Sequence, residues 1–166
     1  MTKHGLHILL FTLIGCESST VNSPILGSWI TQSCQQLTDS NGGLVNVWAK
    51  SEYTFDSNSN IHMQSTSYND SNCITESNAI QEEPHLVANY IDQGDGITQQ
   101  GIEANKITIT FSTMPPPVTI TDGYYKITNN QLCLSQSYHF NSASFGIGTV
   151  DDTEIDFSNC LENTTP

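Results

Sequence analysis

The sequence predicts an all-β fold, an antiparallel array of about eight strands closed into a barrel or, alternatively, folded as a β-sandwich. Three observations carry that prediction. Apolar residues recur with period two rather than 3.6, clusters of Asp, Asn, Ser, Gly and Pro punctuate the chain at short intervals, and no long stretch keeps a helical repeat. With 166 residues and 36% hydrophobic content, the chain has room for one domain and one core.

The N-terminal segment reads as an address. Lys3 precedes the apolar run Ile8-Leu9-Leu10-Phe11-Thr12-Leu13-Ile14, which Gly15-Cys16 ends. A membrane-spanning helix needs about 20 apolar residues, so this shorter run fits the apolar region of a secretory signal. Leu13-Ile14-Gly15-Cys16 resembles the lipobox of bacterial lipoproteins, in which the cysteine is lipidated and becomes the new N-terminus. The resemblance implies a signal peptide over 1–15, lipidation at Cys16 and a flexible Ser/Thr/Asn-rich tether to residue 24. An ordinary secretory signal cut a few residues later is the alternative. Glu17 after the cysteine is compatible with transport to an outer membrane.

Strand signals begin at Ile25 and run through the domain, assigned here to 25–160 with 161–166 as a tail. Ile61, Met63 and Ser65 alternate with His62, Gln64 and Thr66, and Ile107, Ile109 and Phe111 alternate with Thr108 and Thr110. Tyr125 and Ile127 lead into Asn129-Asn130, after which Leu132 and Leu134 resume the pattern, predicting a hairpin. Turns are expected at 39–43, 56–60, 69–72, 92–96, 114–117, 122–123 and 146–152. Short helical pieces are expected at 26–30 and 79–83, and 43–53 fits neither element cleanly.

Composition excludes several classes of function. Four Lys and no Arg stand against 17 acidic residues, a formal net charge of -13. An extended phosphate-binding surface would carry the wrong sign, so nucleic acid is not an expected partner. Without arginine the chain cannot grip a carboxylate or phosphate through a guanidinium fork. There is no Gly-x-Ser-x-Gly, no His-Glu-x-x-His and no glycine-rich phosphate loop, so no residue set nominates a reaction or a cofactor.

Setting Cys16 aside leaves Cys34, Cys73, Cys133 and Cys160, an even number that suits two disulfides in an oxidising compartment. Four cysteines allow three pairings, and spacing does not choose among them. No Cys-x-x-Cys exists to preorganise zinc.

The remaining chemistry-bearing residues read as surface. His62, His85 and His139 are widely separated with no local partner to make any of them a base, and Glu82-Glu83 reads as a solvated loop. Asp92-Gln93-Gly94-Asp95-Gly96 has half the pattern of a calcium loop but lacks the rest, so a tight solvent-facing turn is expected. Asp151, Asp152, Glu154 and Asp156 form an acidic stretch in which the last two would share a face of a strand.

Leu26-Gly27-Ser28-Trp29 resembles the Gly-x-Trp of lipocalins, whose tryptophan packs across the closed end of an eight-stranded barrel. Trp29 is followed by Cys34 and later by Tyr68-Asn69-Asp70-Ser71-Asn72-Cys73. That order resembles secreted lipocalin-like domains with a W-x(4)-C opening and a Tyr-x-Asp-x-x-Cys segment, and 125–132 with 154–157 is similar to their closing strands. The resemblance implies a lipocalin-like barrel rather than a sandwich. It also implies the pairings Cys34 with Cys73 and Cys133 with Cys160.

A barrel interior is either filled core or ligand cavity, and the same inward residues line both. Here they would be Phe55, Ile61, Met63, Ile107, Ile109, Phe111, Ile127, Leu132 and Leu134. The expectation is a monomeric, non-catalytic cell-envelope lipoprotein, held at the membrane by its N-terminal lipid, that binds a small hydrophobic or amphipathic ligand in its barrel. The alternative is a structural or protein-interaction module with a solid core.

Overall fold

A computed structural model describes residues 23–38, 43–81, 83–112, 117–135, 138–140, 145–147 and 154–164. The signal, Cys16 and most of the tether lie outside the described residues, as do the turns expected at 39–42 and 114–116 and the carboxylates of Asp151 and Asp152.

Twelve strands are present among the described residues: β1 (Gly27–Thr31), β2 (Gln35–Thr38), β3 (Leu44–Phe55), β4 (Asn60–Tyr68), β5 (Glu76–Gln81), β6 (His85–Ile97), β7 (Glu103–Phe111), β8 (Val118–Thr128), β9 (Gln131–Leu134), β10 (Tyr138–Phe140), β11 (Phe145–Ile147) and β12 (Leu161–Asn163). Eight of them, β1-β3-β4-β6-β7-β8-β9-β12, pair antiparallel in chain order, and β12 returns to β1 to close the barrel. Closure removes the unpaired edges that an open sheet of this size would present. Strands β2 and β5 lie outside the ring, on the far halves of β3 and β4, and β10 pairs with β11 alone.

Local chemistry sets the turns. At the β3–β4 connection, the Asp56 carboxylate accepts the amides of Asn58 (2.8 Å) and Asn60 (2.9 Å), and Ser59 takes a positive φ of 64°. At β8–β9, Asn129 and Asn130 both have positive φ, 49° and 63°, the pattern of a two-residue turn whose twist matches its strands. The Tyr-x-Asp-x-x-Cys segment also acquires a physical reason. The Asp70 carboxylate accepts the amides of Asn72 (3.0 Å), Ile74 (3.3 Å) and Thr75 (2.7 Å), wrapping the loop that carries Cys73 at φ 53°. Chiefly through the Thr75 amide, and against a smaller upward push from desolvation, these bonds hold the Asp70 carboxyl below its ordinary pKa.

Both disulfides form as the resemblance implied, Cys34–Cys73 with Cα atoms 5.7 Å apart and Cys133–Cys160 at 4.3 Å. The first ties the loop after β1 to the loop between β4 and β5. The second ties the approach to β12 onto β9, and with Ile155 it forms a small cluster against Ala104 and Tyr124 on the outside of the barrel.

Several local expectations are corrected. The described residues of 26–30 and 79–83 are not helical: β1 and β5 occupy most of them, because pairing with β3 and β4 overrides weak local propensity. The unsettled stretch 43–53 is mostly strand β3. Asp92–Gly96 is not a turn but part of the long strand β6, whose register against β7 shifts between Asp92 and Gly94. Gly94 takes φ 80° there and the Asp92 carboxylate accepts its amide at 3.0 Å, so turn chemistry makes a bulge inside a ladder. Asp122-Gly123 is likewise within β8, beside a register shift against β7. The real β6–β7 turn is 98–102, closed by the Thr98 amide on the Ile102 carbonyl (2.9 Å). Glu154–Phe157 is not the closing strand: Ile155 makes one isolated bridge to Ser135, so Glu154 and Asp156 share no strand face, and Leu161–Asn163, read as tail, completes the barrel.

Candidate functional site

Period-two alternation on closed strands sends every second side chain into the barrel. Of the nine residues expected to line it, Phe55, Ile61, Met63, Ile107, Ile109, Phe111, Leu132 and Leu134 are between 0 and 4% exposed and belong to one core cluster; Ile127 is half-buried and packs against it. The topology thus brings the whole set together. Trp29, Tyr53, Tyr90 and Tyr125 share the cluster, with the Tyr90 ring edge-on to Phe55 at a centroid distance of 5.3 Å. The eight fully buried members are thus covered by neighbouring side chains over nearly all of their surface.

The interior changes character along β3 and β4. Beyond Tyr53 and Met63 the inward positions become Ala49, Ser51, Ser65 and Ser67, all buried. Their hydroxyls are used internally: Ser51 and Ser65 Oγ atoms are 2.9 Å apart, Thr31 Oγ1 accepts the Ser51 amide at 3.1 Å, and Ser67 Oγ donates to the Ser77 carbonyl at 3.1 Å.

At the opposite end the chain entering the barrel serves as a lid. Ile25 is fully buried, and the Trp29 indole N–H donates to its carbonyl at 2.9 Å. Beside it lies the half-buried carboxylate of Asp92, which accepts from the Tyr125 hydroxyl (2.7 Å), from the Ser23 hydroxyl and from the Gly94 amide. Burial, reinforced by the Asp92 carboxylate, raises the Tyr125 phenol well above its ordinary pKa. Burial likewise raises Tyr53, and burial together with Asp56 and Asp92 pushes Tyr90 up to about 12. These phenols stay protonated across physiological pH, and Tyr90 and Tyr125 act as hydrogen-bond donors, to the Asp56 carbonyl (2.9 Å) and the Asp92 carboxylate.

An open groove of about 790 Å³ lies at this end, where the β6–β7 hairpin runs past the lid. Its lining includes Pro24 of the lid, Asp95 and Ile97 of β6, Glu103 and Asn105 of β7, and Ile127 of β8. The register explains the grouping. Asp95 pairs with Asn105, Ile97 with Glu103 and Asn105 with Tyr125, so these residues face the same way as inward Ile107. The alternate residues Ala104 and Tyr124 face outward onto the Cys133–Cys160 cluster. A Cβ at Gly96 would meet the Tyr124 ring at 3.1 Å, so a larger residue there would need that ring to give by a few tenths of an ångström.

Sequence reasoning did not find this groove. Local composition assigns Asp95 and Gly96 to a turn; the signal that finds them is the continued alternation of Asp95, Ile97, Glu103 and Asn105 around a short Thr98–Ile102 turn.

The other candidates are dispersed. His62 does have a local partner, its Nε2 standing 3.3 Å from Asp56 Oδ2, and it is about one-third exposed, so the pair sits on the outer surface. Desolvation pushes the Asp56 carboxyl up, but hydrogen bonds from Asn60, Asn58 and His62 outweigh it and hold the group below its ordinary pKa. His85 is exposed, with Nδ1 3.4 Å from the Glu83 carbonyl, and the side chains of His139 and Glu82 lie outside the described residues. Asp156 caps its own turn by accepting from the Ser158 amide at 2.9 Å. Among the described residues no group of three or more His, Cys, Asp and Glu is placed to hold a metal ion.

Comparison with protein-family models, curated proteins and solved structures finds no match to this chain.

Proposed function

We propose that this chain is a non-catalytic lipoprotein of the bacterial cell envelope, anchored through Cys16, whose barrel is a solid scaffold presenting the end groove to a protein partner. The observation that carries this reading is the contrast between the two concave regions. The inward apolar side chains are buried against one another, whereas the groove is open and keeps Ile97 66% exposed. Isolated exposed apolar residues are ordinary; what supports a binding role is that Ile97 lies in a concave surface with Ile127 beside convergent polar groups from Asp95, Glu103 and Asn105. The apolar run before Cys16, the lipobox-like Leu13-Ile14-Gly15-Cys16 and Glu17 support the anchor and the outer-membrane location. Two disulfides suit an exported chain.

Native mass spectrometry tests the scaffold. The chain from Glu17 onward keeps every described strand, and is to be produced in an oxidising periplasm and exposed to mixed fatty acids and phospholipids. The expected spectrum is the apo mass with two disulfides. A lipid-sized adduct that disappears on denaturation would overturn the solid scaffold and restore the reading in which Phe55, Ile61, Met63 and their neighbours part to enclose a hydrophobic ligand.

A further inference from the structure

We infer that the end groove recognises a basic, apolar-flanked segment of a partner protein, seating a Lys or Arg head between Asp95 and Glu103 with its aliphatic stem along Ile97, Ile127 and Pro24. This rests on the reading of the chain as an interaction module and supplies the chemistry of the partner.

Three observations select that occupant. The first is the spacing of the carboxylates. Asp95 pairs with Asn105 and Ile97 with Glu103, so Asp95 and Glu103 are diagonal neighbours on one face of a two-stranded ladder. Such positions stand about 7 to 8 Å apart, which leaves room for one cationic head between two carboxylates, with the Asn105 amide beside it. The second is the apolar surface next to the charges. Ile97 is largely exposed, Ile127 half-buried, and exposed Pro24 also lines the groove. Long basic side chains bury their methylene stems on surface of this kind while the charge stays at the rim.

The third is charge balance. Lys126 is the cation among the residues lining the groove, and its ammonium donates to the Glu103 backbone carbonyl at 2.9 Å. The chain as a whole carries a formal net charge of -13, so its long-range field draws basic partners and repels acidic ones. The openness of the groove favours a polypeptide over a free small molecule. Small-molecule sites enclose most of their ligand, whereas a polypeptide must enter and leave the groove at open ends.

The test uses the chain from Glu17 onward and three short fluorescent peptides alternating Leu with Lys, Glu or Ser, followed by anisotropy at physiological salt. The Lys/Leu peptide is expected to bind and the Glu/Leu peptide not to. The double variant D95N/E103Q should weaken binding about tenfold, the loss expected of two partly exposed charge pairs. The double variant E76Q/E83Q changes the net charge equally at exposed positions on and just after β5, on the far side of the barrel from the groove, and it should leave affinity within about twofold. Equal weakening by both variants would reduce the effect to the overall field and overturn the inference, as would failure of the Lys/Leu peptide to bind. A lipid-free barrel without preference for the basic peptide would overturn this inference alone; a lipid-filled barrel would overturn the module reading beneath it.

Discussion

Trp29→Ala is expected to destabilise the barrel by about 3 to 5 kcal/mol, the range for removing a fully buried large aromatic side chain. Trp29 is 1% exposed and sits in the core cluster where the entering chain crosses the end of the barrel. Two losses combine. The indole volume becomes a cavity beside Tyr53 and Ile25, and the buried Ile25 carbonyl loses the N–H that satisfies it. Trp29→Phe separates the two, because it restores much of the volume but not the donor, and should fall between wild type and alanine. Urea denaturation followed by far-UV circular dichroism measures both variants without depending on the fluorescence of the removed residue. Domains of this kind are stable by about 5 to 15 kcal/mol, so the alanine variant gives up a large share of the total. A loss below about 1 kcal/mol would mean that the end is closed by something other than this side chain.

Removing the Cys133–Cys160 bond is expected to cost more than removing Cys34–Cys73. The chain-entropy estimate is nearly the same for both, about 3.5 to 4 kcal/mol, since loop length enters only logarithmically. Sequence separations of 27 and 39 residues therefore do not distinguish them. Burial does. Cys133 and Cys160 are 0% and 5% exposed and form a cluster with Ile155, whereas Cys34 and Cys73 are half-buried. Replacing the first pair by alanine removes the tether and leaves a gap beneath Tyr124 and Ala104; replacing the second removes chiefly the tether. The bond also holds the chain just before β12, the short strand that closes the ring, so its loss exposes the β1 and β9 edges to fraying. Denaturation midpoints of C133A/C160A and C34A/C73A decide the order. Equal midpoints would show that the buried cluster adds nothing to the tether.

The strands were legible where the alternation was clean. Ile61-Met63, Ile107-Ile109-Phe111 and Leu132-Leu134 carry a pattern that only a half-buried strand satisfies, and all of them point into the barrel. The Asn129-Asn130 turn was legible for a similar reason, because asparagine tolerates the positive φ that a two-residue hairpin turn demands. Misreadings came where local chemistry and long-range pairing disagree. Asp92-Gln93-Gly94 has turn composition and does make a turn-like contact, the Asp92 carboxylate on the Gly94 amide, but nine paired positions on β7 hold it inside a strand. Residues 79–81 lack alternation, and their strand character comes from pairing with β4.

The groove was illegible for a different reason. Its members come from the lid, β6, β7 and β8, and the bulge after Asp92 decides which of Asp95 and Gly96 faces inward. A one-residue change of register would exchange Asp95 and Ile97 for Gly94 and Gly96, and period alone does not locate a bulge. Whether the interior is solid was equally unreadable, since the nine inward residues are the same whether they touch one another or a ligand.

The most direct measurement of the central claim, a packed barrel with recognition outside it, is the unfolding free energy of Ile109→Phe. Ile109 is fully buried on β7 between Tyr90 of β6 and Ile120 of β8. In a packed interior the larger ring has no space, and a loss of about 1 to 3 kcal/mol is predicted. Unchanged or increased stability, with the ring accommodated in the barrel, would reveal free volume there and contradict the account.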